Sequence, residues 1–349
     1  MDATLDLFAP EPPALAAKLK SIADKLREQN VFIGTSSWKY PGWNGQLYAA
    51  ERYSTRGKFA QTRFDDDCLE EYAQTFHTVC VDAGFYRFPS PKTVNRMADQ
   101  VPETFRFSWK VTDEITVRRF PALPRHGVRA GQLNENFLNA PLFIEAFLGS
   151  MSEQRAKTGT LIFEFSRFHA KDFEHGRDFV DALDNFLGQL PTDWQYAVEL
   201  RNKGFLQAEY FEVLRKHRVA HTFNSWTHAP PVVDQLSMPG SDTTDFMAGR
   251  FLLQPGRGYE VAVEMFKPYE GIKEPYEVGR TGLRQLVVKA SGKKRPSYIY
   301  VNNRLEGNAL QTILAVLASL DAISMPSGLA SSIASASLSD EAQTANLDP

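Results

Sequence analysis

Cysteine is scarce. The 349 residues hold two, Cys68 and Cys80, too few for a disulfide framework and at a spacing that matches no zinc motif. Reduced thiols fit a cytosolic protein, the compartment expected here. Long apolar runs are also missing, so no transmembrane helix and no membrane partner are expected. The first residues, with Asp2, Asp6 and Glu11 among short apolar pieces, lack the basic-then-apolar order of a secretory signal. Charge of one sign is absent too: 39 Lys and Arg against 42 Asp and Glu leave a net charge of −3. With no global field, binding to nucleic acid or an anionic surface would need a local patch. No GxGxxG or GxxxxGK[ST] follows a β-rich run, which removes support from nucleotide-binding sheets. The seven histidines form no HxH, HExxH or strand-end His/Asp set, so neither a metal nor another cofactor is expected.

What is present is a core. Apolar residues make up 43% of the chain and aromatics 12%, which excludes a disordered or fibrous protein. Residues 1–13 read as a flexible tether. Leu15, Leu19, Ile22 and Leu26 then recur at helical spacing and predict one amphipathic helix over 14–30. Residues 324–349, rich in Ser and Ala, cannot offset chain entropy by burial and are expected to be a disordered, low-complexity tail. The body between, 31–323, alternates short β-rich runs with longer helical patterns.

Eight strands are expected: Val31–Thr35, Thr78–Gly84, Phe105–Val111, Thr160–Phe165, Tyr196–Leu200, Val219–Phe223, Asp245–Leu253 and Ser297–Val301. Runs such as LIFEF, YAVEL and YIYV are apolar almost throughout, as strands covered on both faces are. Helical patterns separate the strands. The fold class is therefore α/β, a single (β/α)8 TIM-barrel-like domain, with an open doubly wound sheet as the alternative. The segments after strands one (36–67), three (112–135) and seven (254–280) are long, whereas helix-to-strand connections are short. Loops of that length are uncommon unless functional, and in a barrel all three rise from the C-terminal face.

Charged residues inside apolar strands are the informative positions at that face, because burying an unpaired charge is costly. Glu199 and Arg201 are two apart on one strand and share a face. They are either a structural ion pair or a catalytic carboxylate beside an anion-binding guanidinium. Lys110 ends FRFSWK and is either a desolvated participant in the chemistry or an amine reaching to water. Glu164, within FEF, is read as substrate-binding or as a hydrogen-bond partner of a neighbouring strand end. Ser36, Trp38, Tyr40, Trp43, Tyr86, Asn224, Asn302 and Asn303 complete the substrate-binding candidates. The first loop's rings suit stacking on a sugar or base, or form that loop's own core. Arg118, Arg119, Arg125, His126 and Arg129 make a local basic cluster that either receives phosphate or is merely solvated. His77 begins strand two at the opposite end, and His221 reads as an interior hydrogen-bonded histidine.

Five blocks, IGTSSWKYPGW, FYRFPSPKTVNRMADQVPETFRFSWKV, LIFEFSRF, VELRNKGF and VNNRLEGNA, follow one another from about Ile33 to Ala309. In that order they resemble domain-of-unknown-function family 72, the YecE-like proteins. The resemblance implies a TIM-barrel-like fold related in shape to the xylose isomerase and endonuclease IV barrels, and no particular activity. The VELR block carries Glu199 and Arg201, NNRLEGNA carries Asn302, Asn303 and Glu306, and FYR carries Tyr86. The family's VEINSTFYR is here Val79 to Arg87, with Cys80 at an acidic position and Asp82 at an asparagine. Its FQFPP is here Phe163-Glu164-Phe165-Ser166-Arg167, and RFLLQPGRGYE replaces the commoner RLHG. These departures imply a branch with a different ligand. The function expected is metal-independent acid–base chemistry on a polar phosphorylated or sugar-containing small molecule in the barrel mouth. Glu199, Arg201 and Lys110 are its expected catalytic residues. A nucleic-acid repair or processing protein, and a non-catalytic metabolite-binding module, are the alternatives.

Overall fold

The structure, a computed structural model, describes residues 11–321. The expected tether lies mostly, and the expected tail of 324–349 wholly, outside the described residues. Eight parallel strands close into a barrel: β1 Val31–Thr35, β2 Thr78–Val81, β3 Arg106–Lys110, β4 Thr158–Phe165, β5 Tyr196–Leu200, β6 Ala220–Ser225, β7 Met247–Phe251 and β8 Ser297–Val301. Their order around the ring follows the chain, and β8 returns to pair with β1. This is a TIM-barrel-like fold, and the open-sheet alternative is set aside.

Alternation along the strands sorts the side chains. Outward residues such as Val79, Phe107, Leu161, Phe163, Val198, Phe223, Met247 and Ile299 join the helix-packed core. Inward ones split by height. Cys80, Ile162, Ala197, Ala220, Ala248, Tyr298 and Tyr300 form a separate buried cluster that fills the lower lumen. Two residues further along four of these chains stand Asp82, Glu164, Glu199 and Arg250, a charged layer at the C-terminal end. Burying a large apolar side chain such as Ile162 contributes about 1.5–3 kcal/mol, and each alanine methyl less. The filled lower lumen thus supplies a rigid floor for the charged layer.

The barrel's closing seam is thin, because β1 and β2 share one register pair, Thr35↔Val79. Gly34 allows the close approach: a Cβ there would lie 2.2 Å from the Thr78 carbonyl oxygen. The Tyr72 hydroxyl, on the helix Gln61–Thr75, spans the seam. It accepts from the Thr35 amide at 3.0 Å and donates to the Thr78 carbonyl at 3.0 Å. A side chain therefore supplies bonds that the short ladder omits.

The first helix, α1 Ala14–Glu28, buries Leu19, Ile22 and Leu26 as its spacing requires, and ends two residues before the expected limit. Element ends differ elsewhere. The second strand stops at Val81 rather than Gly84, because Asp82–Phe85 turn into a short 3-10 helix. The seventh runs Met247–Phe251 and not Asp245–Leu253. The expected irregular segment 254–280 contains the helix Tyr259–Phe266 and the start of Glu277–Lys293. Among the described residues, no helix is long and apolar enough to cross a membrane.

Candidate functional site

Six charged side chains meet at the C-terminal end of the lumen. Glu164 Oε2 lies 2.5 Å from Lys110 Nζ, 2.8 Å from Arg201 Nη2 and 3.3 Å from Arg250 Nη1. Glu199 Oε1 accepts from Arg201 Nε at 3.1 Å and Nη2 at 2.9 Å, while its Oε2 accepts from Arg250 Nη1 at 2.6 Å. Arg250 also reaches across the lumen to Asp82 Oδ1, donating from Nη2 at 2.6 Å. Three cations thus balance three carboxylates. Burial alone would raise the Glu164 pKa, but Arg201, Lys110 and Arg250 together push it down to about 2. Burial lowers the pKa of Lys110, opposed by Glu164 and reinforced by Arg201 and Arg250.

Depth separates the members. Glu199 and Arg250 are essentially sealed, at 0% and 1% exposure, whereas Lys110 retains 12% and Asp82 27%. The Phe85 ring lies under the Lys110 ammonium, 3.6 Å from centroid to nitrogen, and Trp226 stacks on Arg201 at 3.7 Å. Asp82 Oδ2 makes no hydrogen bond among the described residues.

The expected catalytic residues Lys110, Glu199 and Arg201 are therefore brought together: Glu164 joins Lys110 to Arg201, and Arg201 joins Glu164 to Glu199. Arg250 and Asp82 belong to the same cluster. Arg250 sits as a charge inside the apolar run MAGRFLL, so the rule that singled out Glu199 applied equally to it. Asp82 appears in the sequence reading only as a departure from a family pattern.

The polar and aromatic candidates divide. Asn224 and Asn302 are buried at the mouth, and among the described residues Asn224 Oδ1, Asn302 Nδ2 and Ser36 Oγ have no hydrogen-bond partner. Asn303 Nδ2 is likewise unpartnered among them, while its Oδ1 accepts from the Ala309 amide at 2.7 Å at the start of the last helix. Trp43 is wholly buried and packs on Tyr40 and Tyr48, part of a ring cluster that serves as the first loop's own core. Trp38 is buried beside it, Tyr40 is half-buried, and Tyr86 stands 58% exposed at the rim with Arg125 over its ring. The Glu306 carboxylate of NNRLEGNA lies outside the charged cluster. It binds Arg280, Thr312 Oγ1 and the Tyr276 amide, fastening the loop after β7.

Beside the cluster the surface opens into a cleft of about 290 Å³ lined by Arg167, Arg201, Asn202, Lys203, Gly204, Phe205 and His228. A second cleft of about 300 Å³ shares Arg167 and includes Arg118, Arg119 and Lys171. Arg167, Lys203 and His228 lie in three different loops, so no local motif marks them.

The histidines fall away from the mouth cluster. His77 pairs with Asp24 of α1 at 2.6 Å. His221 is buried against Tyr210 and Gln235, and burial pushes its pKa down to about 4. Among the described residues, no group of three or more His, Cys, Asp or Glu side chains is arranged to hold a metal ion.

Fold and site together define a single-barrel protein with an ion cluster at its C-terminal mouth. The chain belongs to the family described as protein of unknown function DUF72, whose model matches residues 32–331. It is 25% identical over 175 residues to the UPF0759 protein YecE of Escherichia coli (strain K12), a match spanning 50% of this chain and 50% of that protein. The chain thus spans about half the length of the curated relatives it matches. A DUF72 family protein from Thermotoga maritima MSB8 has a similar structure, with a TM-score of 0.55 at 20% identity over 83% of this chain and 99% of that one. Another, from Enterococcus faecalis V583, gives a TM-score of 0.55 at 18% identity over 83% and 97%. At these identities the likeness speaks to the fold alone.

Proposed function

We propose that this barrel is an acid–base enzyme acting on a polar small molecule, phosphorylated or sugar-like, bound over its C-terminal mouth. One observation carries the reading: Lys110, the cluster's partly exposed cation, is held 2.5 Å from a buried carboxylate while burial lowers its pKa. A lysine so placed loses its proton more readily than one in water, the direction general-base work requires. Glu164 fixes the amine, and Asp82 offers Oδ2 to a substrate hydroxyl. Glu199, both oxygens occupied and wholly buried, orients Arg201 and Arg250; the proton passes through Lys110. Each carboxylate is already matched by a guanidinium or ammonium, so a divalent ion would have to displace one. The chemistry proposed therefore runs without a metal.

A second reading, nucleic-acid processing, draws on Arg118, Arg119, Arg167 and Lys171 around the second cleft. Its signature would be affinity that collapses with salt and weakens further on Arg118→Ala with Arg119→Ala. The small size of each cleft, about 290 and 300 Å³, favours the small ligand.

The test is a metabolite-pool thermal-shift screen followed by mass spectrometry of each hit. The expected result is a compound that stabilises wild type and Lys110→Met alike but is consumed by wild type only. A compound that stabilises and is never converted would leave a binding module. Equal turnover by Lys110→Met would end the assignment.

A further inference from the structure

We infer that the cleft among the loops after β4, β5 and β6 seats a dianionic phosphoryl group, the terminal phosphate of a monoester. This deepens the small-molecule reading and rests on it. Arg167, Arg201, Lys203 and His228 line the cleft, and no carboxylate does. Arg167, Lys203 and His228 have no hydrogen-bond or ion-pair partner among the described residues. Exposed cations elsewhere on the surface are commonly paired, as Arg155 is with Asp193 and Lys216 with Asp184. Basic groups converging without a counter-charge raise the local potential, which a bound anion relieves.

The cleft is also preorganised. Asn202 Oδ1 accepts from the Phe168 amide at 2.8 Å, and its Nδ2 donates to the Phe168 carbonyl at 3.0 Å. That pair of bonds ties the loop bearing Arg167 to the loop bearing Arg201 and Lys203. Arg201 is held from below by Glu199 and Glu164 and flanked by Trp226, which leaves its Nη1 uncommitted. Donors arriving from three loops suit three terminal phosphate oxygens better than the two coplanar oxygens of a carboxylate. The neighbouring cleft, which shares Arg167, has apolar walls at Val117, Phe120 and Pro121 and one carboxylate, Asp172, paired with Arg119, giving the rest of a monoester room.

The test compares inorganic phosphate, methyl phosphate and dimethyl phosphate, each against sodium chloride at equal ionic strength, by thermal shift and calorimetry on the full chain. Phosphate and methyl phosphate are expected to stabilise beyond chloride, and dimethyl phosphate to match chloride. Arg167→Ala with Lys203→Ala should weaken methyl phosphate by at least about tenfold, the value of one charge-assisted bond. Gly204→Val puts apolar bulk on a residue lining the cleft, with every charge in place and with no atom within 4 Å of the added Cβ to clash, and should weaken binding. Lys110→Met should bind methyl phosphate as wild type does, so loss of turnover and loss of the anion are read separately. Equal binding of dimethyl phosphate, no effect of either cleft variant, or tighter binding of a single-stranded oligonucleotide governed by Arg118 and Arg119 would each overturn the assignment.

Discussion

Two buried carboxylates on the same end of the barrel have opposite characters. Glu306 is fully sealed, and both its oxygens are used: Oε1 by the Tyr276 amide at 2.6 Å and Arg280 Nε at 2.8 Å, Oε2 by Thr312 Oγ1 at 2.8 Å and Arg280 Nη2 at 3.1 Å. Its backbone also accepts from Lys273 and Glu274. The turn there needs Gly307, at φ 118°, where a Cβ would meet the Gly271 carbonyl oxygen at 2.5 Å. This is a closed clamp on a long loop. Glu164 is as deeply buried, yet three cations share one of its oxygens, and among the described residues Arg250 Nε has no hydrogen-bond partner, nor do Asn224 Oδ1, Asn302 Nδ2 and Ser36 Oγ at the strand ends. A satisfied cluster locks a fold, whereas unsatisfied buried polar atoms call for another explanation.

Breaking the mouth cluster at its centre should have the largest effect. Arg250→Met removes the side chain that touches Asp82, Glu164 and Glu199 at once. Losing one partner of a buried ionic group costs about 3–5 kcal/mol, which urea unfolding would read directly. A loss below about 1 kcal/mol would mean that the cluster is wetter than its burial indicates. The Glu306 clamp gives the control. Glu306→Gln keeps the shape but weakens the charge-assisted bonds to Arg280, and should cost about 2 kcal/mol in the same urea series. Methyl phosphate binding should then be unchanged at a temperature where the variant is folded; a parallel loss of binding would show that the two clusters are one unit.

How much of this was visible beforehand depends on whether neighbours in sequence are neighbours in space. Strand alternation is local, so the paired positions Ala197/Glu199 and Ile162/Glu164 could be read off YAVEL and LIFEF, and with them eight strands, but not their closure into a ring. Arg250 obeyed the same alternation, but extending the seventh strand to Leu253 put it in mid-strand rather than at the mouth. The strand closes two residues earlier because the chain leaves the ladder after Phe251. Ring orientation in the first loop was not readable, because no periodicity governs a segment that folds on itself. Only packing decides that Trp43 points inward and Phe59 outward. The cleft was least visible of all: Arg167, Lys203 and His228 are brought together by barrel closure and the Asn202 bridge, both long-range.

The smallest effect at neutral pH is expected from Lys110→Met, and its acid limb sharpens the contrast most. Glu164 keeps two guanidiniums within 3.3 Å after the change, so stability at pH 7 should fall by only about 1 kcal/mol. The pH dependence follows from linkage. In the wild type the folded Glu164 pKa, about 2, lies below its ordinary value of 4.5, so its contribution is fully present above pH 4.5 and is lost as pH falls towards 2. Without the Lys110 ammonium the folded pKa rises towards the ordinary value, and the contribution shrinks. Difference curves of unfolding free energy from pH 6 to 2 should therefore converge at the acid end, the variant losing less between pH 4.5 and 2 than wild type. Parallel curves would mean that Lys110 does not help hold the Glu164 charge, and the amine would lose its place beside the carboxylate that the proposed chemistry requires.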